Sequence, residues 1–429
     1  MPEPDFDAIV VGAGPAGCVA ATLLARAGHQ VVLIERGSTP GSKNLSGGVL
    51  YGRVLETVFP DYAAEAPVER RITKHTTTFL NADSAVSIDY WAKSLAKPVN
   101  AVTVLRAHFD EWLASQAEEA GAFLMAGVRV DELMVESGQV VGVRAGEDEL
   151  RTRLVVAADG VNSFLARAVG LRGTPRQEQV ALGVKGVLRM DPKTIEDRFG
   201  VRGGEGAAHA IVGDCTKGVA GGAFLYTNKS SLSLGVVMRL DDLIAKGFKS
   251  SDIFEHCYTH PGLAPYLDGG ELIEYGSHLV AEGGLEMLGE VSSDGLIVIG
   301  EAVGLTINSG FAVRGMDLAI GSAIIAARLA DAALRHGDTS AQALDYRQRL
   351  LGSYIGQDLK TYAKAPAFLH RNRLYSDYGM LAAEVFRGVF SLDTTPRQHL
   401  LKCAREAVRG SGVGYRKLLA DGLAGVRSL

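Results

Sequence analysis

The segment Asp7–Val11 (DAIVV) runs directly into Gly12–Gly17 (GAGPAG), and no other feature of the chain limits its fold so tightly. Apolar residues without polar alternation predict a strand buried on both faces of a parallel sheet. Helical character follows from about Ala16 to Ala27, Gly28 ends it, and Gln30–Glu35 (QVVLIE) predicts a second strand. The three glycines have separate tasks in such a unit. Gly12 permits the tight turn, Gly14 lets the backbone approach a pyrophosphate, and Gly17 lets the helix pack on the strand. The helix start at Pro15 and Ala16 offers free N–H groups and partial positive charge to phosphates. Glu35 lies 18 residues beyond Gly17, at the end of the second strand. There it can accept both ribose hydroxyls, which favours the unphosphorylated ribose of FAD or NAD over NADP.

Composition agrees with a nucleotide-binding fold. The 429 residues include 52 glycines, against about 30 at average usage. With 13 prolines and no Gly-x-y period, the excess serves tight turns and close backbone approaches. A hydrophobic share of 47% and a charged share of 22% exclude a disordered chain. The net charge of -5 argues against a nucleic-acid partner. That charge is unevenly spread. From Ser340 onward the chain carries 14 Lys+Arg and 7 Asp+Glu, a net of +7, which leaves -12 for the rest. Cys18, Cys215, Cys257 and Cys403 form no CxxC and no local ligand set for zinc or iron–sulfur. Their spacing points to a reducing compartment. There is no signal-peptide pattern and no uncharged apolar stretch near the ~20 residues that cross a bilayer. The expected location is the cytoplasm, or the inner face of the cell membrane as a peripheral protein.

Further along, Arg36–Gly52 (RGSTPGSKNLSGGVLYG) reads as a Gly/Ser-rich loop without secondary structure, placed to lie along the cofactor. Its candidate contacts are Arg36, Lys43, Ser46, Gly47 and Gly48. Val102–Arg106 leads into a helix at Phe109–Ala120, and Arg106, at a helix start where a cation is disfavoured, suggests a phosphate or ribose partner. Val128–Leu133, containing the candidate contact Val130, and Val140–Arg144 read as antiparallel strands. Arg153–Ala158 is another buried strand, and it ends in Asp159-Gly160 where parallel sheets bind ligands. From Gly173 to Gly289, alternating segments such as Gly222–Tyr226 and Leu232–Arg239 predict an inserted antiparallel sheet. Gly295–Gly300 returns to the parallel pattern and ends in Gly300-Glu301. A long helix then starts near Met316, after Gly310 and Gly315, and could steady negative charge on a ring carbonyl or reduced flavin. The segment from Ser340 reads as helical, basic and tyrosine-bearing, suited to a membrane surface or an acidic protein partner.

Together, Gly12–Gly17, Asp159-Gly160 and the Gly-acid pair at Gly300 resemble the glutathione-reductase-type flavoprotein superfamily, in its hydroxylase-like branch. Gly41–Gly52 (GSKNLSGGVLYG) and Asn308–Ala323 (NSGFAVRGMDLAIGSA) are similar to FixC proteins, relatives of electron-transfer-flavoprotein:quinone oxidoreductases. The resemblance covers nearly the whole chain. It implies noncovalent FAD and electrons passed from an electron-transfer flavoprotein (FixA/FixB-like) to quinone. It also implies a ferredoxin-like FixX-type partner, with the iron–sulfur cluster supplied in trans. The superfamily commonly has Gly-Asp where this chain has Gly300-Glu301, so the contact of that acid with the ribityl or pyrophosphate region is expected to differ.

The expected fold is α/β. It comprises a Rossmann-like FAD-binding domain (1–75 with 100–172 and 290–340), an inserted antiparallel β-sheet domain for substrate or quinone (76–99 with 173–289) and a helical C-terminal region (341–429). The chemistry is expected to be borne by the flavin, with no catalytic side chain and no metal; the ten histidines give no close ligand pair. Amides of Gly310 and Gly315 are expected to steady the reduced flavin. Competing readings are a geranylgeranyl reductase-like enzyme, an NAD(P)H-dependent flavin monooxygenase and a non-catalytic docking subunit.

Overall fold

The computed structural model describes residues 3–44 and 47–429. Its first sheet is built around the glycine turn. Phe6–Val11 pairs in parallel with Val31–Glu35 on one side and with Asp148–Ala157 on the other. Phe123–Ala126 and Leu296–Val298 extend this parallel core, and Ser292–Ser293 adds a short antiparallel edge. The unbroken apolar run Ala8–Val11 is buried throughout, as are Leu33, Val155 and Ile297 on the neighbouring strands. Strands covered on both faces require this continuity.

Three helices pack on this sheet: Pro15–Arg26, Arg106–Glu119 and Met316–His336. Their apolar sides, with Val19, Leu24, Phe109, Leu113, Leu318 and Ile324, join the main core. The first two strands and the first helix match the expected βαβ unit within a residue or two. The antiparallel pair expected at 128–133 and 140–144 forms at Glu132–Glu136 and Gln139–Ala145, so Val130 stands before the strand.

The second sheet has nine strands, in the order Glu271–Ala281, Val180–Arg189, Ser231–Arg239, Gly221–Thr227, Glu205–Gly213, Val68–Leu80, Val102–Leu105 and Gly47–Leu50, with Ala85–Trp91 branching from Val68–Leu80. It is antiparallel apart from one parallel pairing, Glu205–Gly213 with Val68–Leu80. Gly47–Leu50, read from the sequence as loop, is a strand. Its backbone completes a ladder with Val102–Leu105, a tertiary pairing that overrides weak glycine propensity. Val68–Leu80 runs through the 75/76 division without a break, and Val102–Leu105 and Gly47–Leu50 also belong to this sheet.

Alternation along these strands gives the sheet two unlike faces. Val184, Leu188, Leu225, Leu234 and Val236 turn to a core shared with Ile195, Phe199, Ile253 and Phe254. The opposite face looks across to the first sheet. From Ala341 the chain is a series of helices, ending in Asp377–Phe390, Leu400–Gly410 and Tyr415–Ser428. Among the described residues no helix is long and apolar enough to cross a membrane.

Candidate functional site

The two sheets enclose a cavity of about 1410 Å³, lined by the turn after Val11, the segments that follow the parallel strands, and the inner face of the second sheet. Gly12 adopts φ +103°, and a Cβ there would stand 2.4 Å from the Ala158 carbonyl oxygen. A Cβ on Gly17 would stand 1.9 Å from the Gly12 carbonyl oxygen. Only glycine therefore allows helix, turn and neighbouring strand to meet here. Gly12, Gly14, Pro15 and Ala16 line the cavity, and Gly14 opens the helix with no side-chain cap. Gly17 lies behind the turn as a packing glycine.

Glu35 Oε2 accepts the Ala13 amide at 2.9 Å, and Oε1 accepts the Gly37 amide at 2.7 Å. This carboxylate therefore fixes the glycine turn to the loop after the second strand, while still lining the cavity. Arg36, Lys43, Gly47, Gly48 and Val130 line it as well. Ser46 falls outside the described residues.

Arg106 Nη2 lies in the cavity wall, 3.7 Å from where a Gly14 Cβ would be. Its guanidinium is already matched: Nε and Nη2 donate to the two oxygens of the fully buried Asp110, both at 2.7 Å. Burial pushes the Asp110 carboxyl up, and Arg106 and Asn44 pull it back toward the charged form. Removing one partner of a buried pair leaves an uncompensated charge. Asp110→Ala is therefore expected to cost about 3 kcal/mol in denaturant unfolding, and Asp110→Asn distinctly less.

Asp159 and Gly160 reach the cavity from the end of Asp148–Ala157. Asp159 Oδ2 accepts the Leu165 amide at 3.1 Å. Its Oδ1 is buried without a partner among the described residues. Arg172, absent from the sequence-based set, donates to the carbonyls of Val161, Glu301 and Ala302 and so ties this segment to the third motif.

Gly300 and Glu301 both line the cavity. The Gly300 amide donates to Ser322 Oγ. The longer acid at 301 turns to the second sheet, where Oε1 accepts the Ala281 amide at 3.2 Å. Burial raises its carboxyl above the usual range. The extra methylene thus makes Glu301 a bridge between the sheets. Gly310, Gly315 and Met316 complete the wall. Gly310 donates its amide to Asn308 Oδ1, which removes it as a free donor; Gly315, the start of the 21-residue helix, has no side-chain cap.

The inner face of the second sheet supplies residues that sequence reasoning missed: Lys185, His278, His75, Phe224 and Tyr226. His209 turns to the other face, against Phe199 and Tyr266. Burial, with repulsion from Lys185, Arg106 and Arg36, pushes His278 down to about 4. Burial also pushes His209 down to about 4 and lowers His75. These imidazoles are neutral at pH 7. Lys185 interrupts the apolar run Val180–Leu188 (VALGVKGVL), and that was the available signal.

The histidines depart from the expectation that none pair closely. His256 and His260 converge with Asp214 so that one ligand atom of each lies within 4.8 Å of the others. His256 Nε2 is 2.8 Å from Asp214 Oδ2, and His260 Nε2 is 3.4 Å from it. The Gly262 amide donates to His260 Nδ1, so Nε2 carries the proton of the neutral ring. That leaves His260 no lone pair for a metal; His256 alone hydrogen-bonds the carboxylate, with His260 Nε2 buried beside it.

The chain is similar to known proteins along its whole length. An FAD binding domain matches residues 5–201, and the ETF-QO/FixC family C-terminal domain matches residues 365–429. The chain is 42% identical, over all of both sequences, to a probable electron transfer flavoprotein-quinone oxidoreductase, YdiS, of Escherichia coli K12. It is 44% identical, again end to end, to protein FixC of the same organism. Among solved structures it resembles a geranylgeranyl bacteriochlorophyll reductase-like protein from Thermoplasma acidophilum, with a TM-score of 0.71, 20% identity and 97% and 98% of the two chains covered. It also resembles the myxobacterial chondrochloren halogenase CndH, with a TM-score of 0.62, 19% identity and coverage of 99% and 90%. These two likenesses establish the fold alone.

Proposed function

Because the chain belongs to the ETF-QO/FixC family and is an FAD-dependent oxidoreductase, we propose that it takes electrons from an electron-transfer flavoprotein and passes them to a quinone. The observation that carries this reading is the end-to-end 42% identity to a probable electron transfer flavoprotein-quinone oxidoreductase. A cavity with a dinucleotide cradle on one side and a sheet face that carries Phe224 and Tyr226 on the other supports it.

The residues present fit FAD. The glycine turn leaves backbone room that a Cβ would fill, and Asp159 Oδ1 is an orphaned acceptor on the same wall. In this reading Gly12, Gly14 and the helix start at Pro15 and Ala16 hold the pyrophosphate, and Glu35 takes the adenosine ribose. Arg36, Lys43, Gly47, Gly48, Arg106, Val130, Asp159, Gly160, Gly300 and Glu301 hold the remainder, with Gly310 shaping the wall and Gly315 and Met316 offering a helix start to the ring. Bound there, FAD supplies the two-electron redox chemistry. The protein orients it, excludes water and sets the charge around it. Phe224 and Tyr226, stacked with ring centroids 4.6 Å apart, offer a flat apolar surface to a quinone ring.

The partner assignments are FixA/FixB-like subunits as electron donor and a FixX-type ferredoxin-like protein as associate. A peripheral membrane contact is proposed through the C-terminal helices. Those helices expose Phe386, Phe390, Leu400, Leu401, Leu419 and Leu423 beside the basic residues of the +7 segment. Vesicles with anionic lipid are expected to float the protein, and neutral vesicles or high salt to reduce flotation; no flotation in any lipid contradicts the contact.

Reconstitution tests the function. With a FixA/FixB-like flavoprotein kept reduced and a soluble quinone, quinol formation is expected only when the FAD-loaded chain is added. Quinol formation at the same rate without it overturns the assignment.

A further inference from the structure

Lys185 lies at the centre of Val180–Arg189 and faces the cavity, opposite in parity to the core residues Val184 and Leu188. Its neighbours across the ladder are Gly235 on one side and Gly276 on the other. Neither can cover the ammonium group. The ring of Phe224 lies below it, 6.0 Å from Nζ. Among the described residues the ammonium makes no ion pair and no hydrogen bond. The charged and titratable groups around it come from three other elements: Arg106 at a helix start, Glu301 after Leu296–Val298, and His278 on Glu271–Ala281. Arg106 is occupied by Asp110, Glu301 by the Ala281 amide, and His278 is neutral at pH 7. Lys185 is thus a cavity-wall cation with room around it and no assigned partner. A cation buried in a cavity wall without a hydrogen bond costs stability, and the attraction of Glu301 offsets that cost only in part.

We propose that Lys185 is the proton donor to the acceptor reduced in this cavity, a carbonyl compound of the quinone class. The proposal rests on the function set out above and revises the expectation that no side chain takes part in the chemistry. Two electrons from the flavin enter the quinone. The Lys185 Nζ–H bond breaks as an O–H bond forms on one carbonyl oxygen, and the second carbonyl takes its proton from water. The quinone is reduced to quinol, the flavin is oxidised and releases its proton to solvent, where it balances the one taken from water, and the neutral amine regains a proton from solvent. Burial and the Arg106 charge support the role by pushing the Lys185 ammonium down to about 8, close to the working pH where a general acid is most effective.

The test uses the FAD-loaded protein, reduced anaerobically and mixed with a short-chain ubiquinone analogue from about pH 6 to about pH 10. Wild-type flavin reoxidation is expected to slow as pH rises through about 8. Lys185→Met is expected to be roughly 100-fold slower below that point and flat with pH. Lys185→Arg keeps the charge but cannot give up a proton, so its quinone rates are expected to be as slow and as flat with pH as those of Lys185→Met. An equilibrium readout stands beside the rates. The anion of a hydroxynaphthoquinone, a stand-in for the developing oxyanion, is expected to bind roughly 30-fold more weakly to Lys185→Met than to wild type, and Lys185→Arg to restore binding.

Folding separates this from a structural role. A lysine whose folded value lies below its unfolded value of 10.5 costs stability at low pH, and the cost fades as pH rises from about 8 to 10.5. Lys185→Met is therefore expected to melt higher than wild type at pH 7. Equal quinone rates and equal anion binding in wild type and Lys185→Met overturn the proposal. Ferricenium, which takes an electron without a proton, reports whether each flavin is competent. If ferricenium but not quinone reoxidises the wild type, the acceptor assignment falls and the proposal with it.

Discussion

Gly17→Val is expected to yield protein without flavin. A Cβ at this position would stand 1.9 Å from the Gly12 carbonyl oxygen, with the Ala158 Cβ at 3.4 Å, so no flexible side chain is there to give way. The helix Pro15–Arg26 must then move off the strand, which carries the open helix start away from the cavity. Overpacking of this kind costs about 3 kcal/mol, equivalent to a loss of about 100-fold in FAD affinity. Flavin absorbance per polypeptide after purification, followed by FAD titration of the apoprotein, measures it. Gly28→Ala is the control. Gly28 also has positive φ, +93°, but a Cβ there meets nothing within 4 Å. Its expected cost is only the backbone strain of about 1 kcal/mol, with flavin retained.

A comparable loss is expected at the far end of the chain. Asp421 is 3% exposed and receives Arg371, Arg373 and the Tyr378 hydroxyl on its two oxygens. These residues come from the segment 371–378 and from Tyr415–Ser428, so one carboxylate joins the last helix to the helices before it. Hydrogen bonds from Arg373, with help from Tyr378 and Arg371, hold that carboxyl far below the usual range. The two guanidinium groups are about a third exposed (34% and 36%), so solvent screens part of the loss. Asp421→Ala is expected to destabilise the C-terminal helices by about 2 kcal/mol. A carboxyl lowered in the folded state stabilises above its unfolded value and loses that contribution as pH falls. The wild-type C-terminal region is therefore expected to loosen in acid, below about pH 4, and Asp421→Ala to be loose already at pH 7. Limited proteolysis of residues 365–429 against pH separates the two proteins.

What was legible in the sequence was local. The strand–glycine turn–helix–strand unit announces itself because each step is set by neighbours a few residues away. The strands Gly221–Thr227 and Ser231–Arg239 were legible from alternation. Pairings between distant segments were not. Nothing in Val68–Leu80 signals a parallel partner at Glu205–Gly213, and the glycines of Gly47–Leu50 argue against the strand that Val102–Leu105 imposes. Site residues divide in the same way. Gly12, Gly14, Glu35 and Asp159 stand at fixed offsets within a motif. Asp110 is found only once Arg106 is seen to need a counter-charge, and Glu301 turns to Ala281 because a strand from the other sheet arrives there. His256 and His260 stand four residues apart in plain view, but the carboxylate they converge on is 42 residues before His256. Lys185 carried its own signal, a cation inside an apolar run, whose meaning depends on a cavity that only the assembled sheets create.

Electrons, on this reading, reach the flavin from a protein partner and not from a nicotinamide. Anaerobic mixing of the FAD-loaded chain with NADH or NADPH, and separately with a reduced FixA/FixB-like flavoprotein, decides between the two. The flavin band is expected to persist with either nicotinamide and to bleach with the reduced flavoprotein. Rapid bleaching by NADH or NADPH alone would refute the reading and mark the chain as a self-sufficient reductase or monooxygenase.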